Sequence, residues 1–238
     1  MDSKGKIAIL IRGFHKLNER VSKHDRHSTS PLHFDYRECF FSFTNMILTP
    51  LIEEGFDVDL YIVTYHSEID ESLKYLPNLK NILFMNRDSN QPKTLIKGLQ
   101  SIPNKYETYI VLRFDLWYKQ DIRRWLPKCS NVKPNLYVPW REYQKQWDRD
   151  HRMGDVIYIM NTKAKETMIQ LITELPNTGK DTLHGLHDKL TEKDCIVSFL
   201  TSGFFDSNTT YDARRECCNP FYIFWARPYH HHDFPDRI

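Results

Sequence analysis

The chain has 238 residues, of which 40% are hydrophobic and 13% aromatic. This length and composition suit one globular domain with a sizeable core and exclude a disordered chain. Lys and Arg number 33 against 31 Asp and Glu, so the formal charge of +2 gives no global field that would favour nucleic acid or an anionic membrane. Five cysteines, two of them adjacent, lack metal-ligand spacing and predict reduced thiols rather than a disulfide framework or a zinc site.

No segment of the sequence is long and apolar enough to suggest a membrane span. The N-terminal residues lead into a short apolar run from Lys6 to Ile11, which is too brief for the core of a signal peptide. We therefore expect no integral membrane segment, and the expected reduced thiols indicate a cytoplasmic location.

Strands and helices alternate along the first half of the chain. Short apolar runs predict strands at residues 6–11, 58–64, 81–85 and 109–114. Apolar residues at helical spacing predict helices at residues 36–54, 68–76 and 94–101. Gly55 is expected to end the first helix and Pro50 to kink or shorten it, while the polar residues 15–33 predict a loop. Such alternation predicts parallel strands joined by crossover helices.

The alternation becomes less regular after residue 121. Here the sequence predicts strands at 136–139, 156–160 and 221–225, a polar and aromatic loop at 140–153, and helices at 162–175 and 182–200. No repeat or low-complexity linker separates the two halves. We therefore predict a single α/β domain over residues 1–238, with an open, mostly parallel central sheet flanked by helices and with halves at 1–120 and 121–238.

The most informative stretch is the apolar run from Tyr109 to Tyr118, because it contains Arg113 and Asp115. Side chains alternate along a strand, so these two charges point to the same side. An unpaired buried charge is costly, so the pair needs partners or a ligand, and we interpret it as the mouth of a binding site. The alternative is that Arg113 and Asp115 pair with each other or with a neighbouring strand.

Polar residues follow all four predicted strands of the first half. Ligands of open parallel sheets bind beyond the carboxyl ends of the strands. Arginine at several of these ends fits an anionic ligand such as a nucleotide diphosphate. The candidate binding residues are Arg12, Gly13, Thr64, Tyr65, His66, Arg87, Arg113 and Asp115.

Glycine motifs of other nucleotide sites are missing. The chain has only 8 Gly, with no Gly-x-Gly-x-x-Gly after its first strand and no Gly-x-x-x-x-Gly-Lys-Ser/Thr. A Rossmann dinucleotide enzyme and a P-loop kinase are therefore disfavoured. A methyltransferase that uses S-adenosylmethionine, or another nucleotide-dependent modifying enzyme, stays open as an alternative.

Four segments, in this order along the chain, resemble GT-A-type nucleotide-sugar glycosyltransferases. They are Ile11-Arg12-Gly13, the strand that ends in Arg113-x-Asp115, residues 154–161 and residues 219–222. The resemblance is to small soluble enzymes of large algal DNA viruses and of bacterial polysaccharide loci, and it spans residues 6–227. A viral origin would place the protein in the host cytoplasm.

The resemblance implies a Rossmann-like nucleotide-sugar-binding half at 1–120 and an acceptor-binding half at 121–238. It implies a nucleotide-diphosphate sugar donor, a glycan or glycoprotein acceptor, and Mn²⁺ or Mg²⁺. In this family the last carboxylate of Asp-x-Asp ligates the metal, and Asp115 matches that position. Arg113 stands where the first aspartate would be, so the protein is expected to bind metal through fewer side chains or to dispense with it. A catalytically inactive carbohydrate-binding relative is a further alternative.

Glycosyl transfer needs stabilisation of the leaving diphosphate and either a base or retention chemistry. We assign the first task to Asp115 through a metal and to Arg113 and Arg12, with Lys119 as a further candidate that could equally be a solvated surface lysine. Asp155, directly before a strand, is the candidate catalytic base, and its alternative is a turn aspartate. Weaker base candidates are Asp148, Asp150 and Asp188.

Aromatic side chains are a common complement to sugar rings. Trp140, Tyr143 and Trp147 would lie on one side of a helix and could form an acceptor platform, although buried core aromatics show the same spacing. His184 and His187, followed by Asp188, and the tail residues 230–233 could each add a metal ligand. The alternatives are a satisfied helix histidine and a solvated tail.

Overall fold

A computed structural model gives the fold and describes residues 4–17, 34–86, 89–129, 132–142, 144–174, 183–202, 204–205 and 221–224. The strands are β1 (Lys6–Arg12), β2 (Lys16–Leu17), β3 (Phe34–Asp35), β4 (Asp57–Tyr65), β5 (Leu79–Met85), β6 (Thr108–Arg113), β7 (Leu116–Tyr118), β8 (Asn135–Val138), β9 (Arg141–Glu142), β10 (Tyr158–Met160), β11 (Ile196–Phe199), β12 (Phe204–Phe205) and β13 (Tyr222–Phe224). The helices are α1 (Tyr36–Phe43), α2 (Thr49–Glu53), α3 (Asp70–Leu73), α4 (Gln91–Ser101), α5 (Gln144–Asp150), α6 (Thr162–Glu174) and α7 (His187–Glu192). A π-helical turn (Thr44–Leu48) and two 3₁₀ turns (Ile122–Arg124 and Leu183–Leu186) connect some of them.

Seven strands form one sheet in the order β5-β4-β1-β6-β10-β8-β11. The pairs β1 with β4, β1 with β6, β4 with β5, and β8 with β11 are parallel, and β10 is antiparallel to both of its neighbours. The prediction of a single α/β domain with a mostly parallel central sheet flanked by helices is therefore confirmed.

The central strand β1 is buried on both faces because it separates two hydrophobic cores. Ile7, Ile9 and Ile11 pack in a core shared with α1 and α2. Ala8 and Leu10 pack in the opposite core, together with side chains of α4 and α6. Side-chain alternation along one apolar strand thus supplies both layers, as a strand in a parallel sheet requires.

The predicted helix at residues 36–54 forms as α1, the π-helical turn and α2. Pro50 lies in the first turn of α2 and has no N–H group, so it cannot bond to the carbonyl four residues back. The turn before it is π-helical instead. The Thr49 N–H bonds to the carbonyl of Thr44, five residues back. Gly55, with φ of +90°, directly follows this helix and turns the chain towards β4.

The predicted helix at residues 182–200 is wrong in its second half. Helix α7 ends at Glu192, and Asp194, with φ of +57°, turns the chain into the strand β11. Ile196 and Val197 are β-branched, and β8 offers a sheet edge whose backbone groups need partners. Strand pairing therefore outcompetes continuation of the helix.

The predicted loop at residues 140–153 is also wrong in part, since it contains β9 and α5. β9 pairs in parallel with β12 and forms an isolated antiparallel bridge from Arg141 to Met153. Gln144–Asp150 contains neither glycine nor proline, and its long polar side chains are tolerated in a solvent-facing helix.

No helix within the described ranges combines the length and the apolar composition needed to cross a bilayer. The longest of them, α6, has 13 residues.

Candidate functional site

Two arginines lie side by side at the carboxyl edge of the sheet. Arg12 is the last residue of β1, Arg113 is the last residue of β6, and the two are direct partners in the parallel register. Arg12 is only 2% exposed, whereas the side chain of Arg113 is 21% exposed. The edge that the sequence predicts for an anionic ligand therefore carries two fixed positive charges, one buried and one accessible.

Arg113 and Asp115 pair with each other, which is the alternative that the sequence left open beside a binding-site mouth. Arg113 Nε donates to Asp115 Oδ1 at 2.8 Å, and Arg113 Nη2 donates to Asp115 Oδ2 at 2.6 Å. Burial would lower the pKa of Arg113, but Asp115 and Asp155 outweigh it and raise that pKa. The guanidinium is thus always charged and held in one orientation.

The segment that precedes β10 holds the Arg12 side chain. Its Nη2 donates to the backbone carbonyl of Asp155 at 2.6 Å, and its buried Nε has no hydrogen-bond partner within the described structure. Burial lowers the pKa of Arg12, opposed by the charge of Asp155. Such a buried cation depends on the neighbouring carboxylate.

Asp155 lies among cations and is 7% exposed. His184 Nε2 lies 3.5 Å from Asp155 Oδ2. Burial alone would raise the pKa of Asp155, but His184, Arg12 and Arg113 together lower it. A general base for neutral pH is favoured by a raised pKa, so this carboxylate is better suited to holding cations in place than to accepting a proton. The catalytic-base role of Asp155 stays a prediction.

His184 is tied into a second buried carboxylate. Its Nδ1 lies 2.6 Å from Oε1 of Glu142, which is fully buried and also accepts a hydrogen bond from Arg152 Nε at 2.7 Å. Burial would lower the pKa of His184, but Asp155 and Glu142 raise it above its usual value. The sequence offered His184 as a metal ligand or as a satisfied helix histidine, and these contacts agree with the second. It could not name Glu142 as the partner, because Glu142 lies 42 positions away.

Replacing His184 by glutamine should reveal a pH-dependent stability contribution. A pKa that folding raises means that the folded state holds the proton more tightly, so the contribution is complete below about pH 6.5 and is lost as pH rises through the higher folded-state pKa. We expect the wild type to exceed His184→Gln in free energy of unfolding by more at about pH 6 than at about pH 9. Urea unfolding at both pH values measures this, and a difference that grows with pH would contradict it.

The ends of β1 and β4 meet beside the arginines. Thr64 Oγ1 donates to the carbonyl of Gly13 at 2.8 Å and lies 2.7 Å from His15 Nδ1. Gly13 has φ of +105°, and a Cβ there would meet no atom within 4 Å, so backbone freedom rather than close packing explains this glycine. His15 is buried and was predicted only as the start of a polar loop. Its partners Ser67 and Asp70 follow β4, where the polar residues of the sequence indicated a ligand-binding end of the strand.

Aromatic stacking shapes the same strand ends. Phe14 stacks on Tyr65 with ring centroids 4.2 Å apart, and His66 stacks on Phe84 at 4.3 Å. The Tyr65 hydroxyl donates to the carbonyl of Ser89. Thr64, Tyr65 and His66 therefore lie where the sequence placed them, at the carboxyl end of β4, whereas the predicted Arg87 lies outside the described residues.

Of the three aromatics predicted for the acceptor, Trp140 and Trp147 do not share a helix, because α5 begins at Gln144. Trp140 is buried and packs on Tyr222 with centroids 5.4 Å apart, which confirms the core alternative for this residue. Trp147 on α5 contacts the rings of Phe199, His151 and His187. Tyr143 lies outside the described residues. The acceptor-binding role of Trp147 stays a prediction.

Arg141, which the sequence did not single out, contacts the aromatic rings around Trp147. The Arg141 guanidinium lies 4.3 Å from the ring centroid of Phe199 and 5.3 Å from that of Trp147. Phe204, exposed by 44%, is a further ring nearby. Lys119, Asp148 and Asp150 are exposed, and residues 230–233 lie outside the described ranges.

The surroundings of Asp115 do not fit a divalent cation in this arrangement. Both carboxylate oxygens accept hydrogen bonds from the Arg113 guanidinium. A metal at Asp115 would lie beside this positive charge, and Mg²⁺ and Mn²⁺ favour sites rich in oxygen ligands. The metal-ligand role of Asp115 stays a prediction, and the arrangement favours fixed guanidinium charge at this edge.

No model of a known protein family matches the chain, and no curated protein matches it in sequence. Solved structures match it in fold. A nucleotidyl transferase from Methanothermobacter superposes with a TM-score of 0.54 and 11% identity, over 83% of this chain and 87% of that chain. A putative nucleotide-diphospho-sugar transferase from Desulfovibrio desulfuricans G20 gives a TM-score of 0.50 and 10% identity, over 94% of each chain.

The Drosophila β1,4-galactosyltransferase 7 is a third fold neighbour. A mutant of it in complex with manganese, UDP-Gal and xylobiose gives a TM-score of 0.50 and 13% identity, over 95% of this chain and 73% of that chain. In another structure of the enzyme, its catalytic domain with xylobiose, 84% of this chain matches 66% of that chain. None of the three neighbours is viral, so the resemblance to viral enzymes stays a prediction.

Identities this low show a shared fold, and the strand order and mixed sheet described above agree with it. The chain therefore shares a GT-A-like fold with these three structures.

Proposed function

We propose that the protein transfers a sugar from a nucleotide-diphosphate donor to a glycan acceptor. The observation that carries this proposal is the side-by-side placement of Arg12 and Arg113 at the carboxyl edge of a GT-A-like sheet. Ligands of parallel sheets bind at this edge. Positive charge fixed there stabilises the negative charge that a leaving nucleoside diphosphate acquires.

The two arginines have different roles in this proposal. Arg113 is accessible and oriented by Asp115, so it contacts the diphosphate. Arg12 is buried and acts as a positioning residue together with Asp155, whose carboxylate keeps the cations of the edge close together. His184, whose pKa Asp155 and Glu142 raise against the effect of burial, lies beside Asp155.

The halves of the chain divide the remaining tasks. We assign Gly13, Thr64, Tyr65 and His66, in the half at 1–120, to the nucleoside part of the donor, since stacked rings and hydroxyls surround the ends of β1 and β4. We assign the acceptor to the half at 121–238. There Trp147 is partly exposed and offers the kind of aromatic face that sugar rings contact.

Thermal-shift measurements with a panel of nucleotide sugars and S-adenosylmethionine, each with and without Mn²⁺, test the proposal. A ligand that binds only the folded state raises the unfolding temperature. We expect a uridine or guanosine diphosphate sugar to raise it. Stabilisation by S-adenosylmethionine alone would favour a methyltransferase instead.

A second candidate is a carbohydrate-binding relative without catalytic activity. The specific observation in its favour is the Arg113–Asp115 pair, in which a guanidinium occupies both carboxylate oxygens. The release of nucleoside diphosphate from a stabilising donor separates the two candidates. Slow donor hydrolysis supports the transferase, and binding without any hydrolysis supports the inactive relative.

A further inference from the structure

Three side chains with nitrogen and carboxylate ligand atoms converge between α5 and α7. His151 directly follows α5, and His187 and Asp188 are the first two residues of α7. One potential ligand atom from each of the three lies within 4.8 Å of the others. His151 Nδ1 lies 2.8 Å from Asp188 Oδ1, and His187 Nδ1 lies 2.9 Å from the same oxygen.

The backbone and a neighbouring ring hold this cluster together. His151 has φ of +43°, a left-handed conformation that is uncommon for residues other than glycine and that aims its ring across the gap towards α7. Trp147 packs edge-on against both imidazoles, with centroid distances of 5.0 Å to His151 and 4.9 Å to His187. The Trp147 ring therefore packs against both histidine rings.

The chemistry of the cluster suits a borderline transition-metal cation. Two imidazoles and one carboxylate form a ligand set that Zn²⁺ accepts, with bonds of about 2.0–2.2 Å and one coordination position left open. A tetrahedral site of this size separates its ligand atoms by about 3.4 Å. The present contacts of 2.8 and 2.9 Å are shorter than this spacing, so metal binding requires the His151 and Asp188 side chains, which are 47% and 51% exposed, to rotate.

We propose that His151, His187 and Asp188 form a binding site for a divalent transition-metal cation such as Zn²⁺, distinct from the sugar-donor edge. The cation replaces the hydrogen bonds to Asp188, with each imidazole carrying its remaining proton on Nε2. It ties the end of α5 to the first turn of α7 and leaves a coordination position for water or a ligand oxygen. The proposal rests on these three side chains and does not depend on the proposed transferase activity.

Calorimetric titration of the full chain with ZnSO₄ tests the site. All proteins in the comparison carry His230→Ala, His231→Ala and His232→Ala, because a run of three histidines can bind metal by itself. We expect this parent protein to bind one equivalent of Zn²⁺ and to unfold at a higher temperature when Zn²⁺ is present. A parent protein that binds no Zn²⁺ would overturn the proposal.

Two single variants in different elements locate the binding. His151→Asn keeps a residue that tolerates the left-handed backbone, and His187→Gln keeps a side chain of similar reach. Each is expected to weaken Zn²⁺ binding at least tenfold and to remove the thermal stabilisation. The matched control is Glu192→Gln, which removes an exposed carboxylate at the other end of α7. Zn²⁺ affinity that is unchanged in either site variant, or equally weakened in the control, would overturn the proposal.

Discussion

Arg113→Ala is expected to weaken binding of the nucleotide-diphosphate sugar about 100-fold, which corresponds to ~2.7 kcal/mol. Charge-assisted hydrogen bonds to phosphate are strong, and Asp115 already holds the guanidinium in one orientation, so little side-chain freedom is lost on binding. Arg12 cannot replace the lost contact because it is buried. Calorimetric titration with the donor that stabilises the wild type measures the change.

The matched control is Arg123→Ala. Arg123 also uses Nε and Nη2 to bond an aspartate two positions away, Asp121, but it lies next to the exposed side chain of Glu53 rather than at the sheet edge. Its removal should leave donor affinity within about twofold, as is usual for an exposed ion pair. Donor binding by Arg113→Ala that equals the wild type would exclude Arg113 from the donor site.

The parts of the fold that the sequence predicts are those with a strong local signal. β1, β4 and β6 are mostly apolar because both of their faces are buried. A proline marks the irregular turn of the first long helix, and a glycine marks its end. The segment after Glu192 was misjudged because its local pattern fits a helix as well as a strand. The free edge of β8, far away in sequence, decides between them.

The sequence predicts which residues lie at the end of each strand, but not which distant segments contact one another. The sequence brought Arg113 and Asp115 together correctly, but β6 ends at Arg113 and Asp115 lies in the following turn, so alternation along a strand is not the reason. The contacts of Asp155 with Arg12 and His184 join residues 143 and 29 positions apart, and only the tertiary fold brings them together. The prediction that Trp140 and Trp147 lie on one side of a helix was wrong, because Trp140 precedes α5.

Asp115→Asn is expected to abolish turnover, measured as release of nucleoside diphosphate from the donor, while leaving the fold intact. An amide presents an N–H group to the guanidinium at one of the two positions where the carboxylate now accepts, so Arg113 loses its fixed orientation. Asp115 lies in the turn between β6 and β7, and asparagine has the same shape and can still accept one hydrogen bond from the guanidinium, which is why the fold should tolerate the change. Asp121→Asn is the matched control and should retain turnover.

A double-mutant cycle then separates a role through Arg113 from a role in binding a metal. If Asp115 acts only by orienting Arg113, adding Asp115→Asn to Arg113→Ala causes no further loss, because residues that act as a unit have non-additive effects. A further loss that appears only with Mn²⁺ present would assign Asp115 a metal as a second partner. Unchanged turnover in the single variant Asp115→Asn would remove this carboxylate from the mechanism, and the positive edge would then bind the donor without its help.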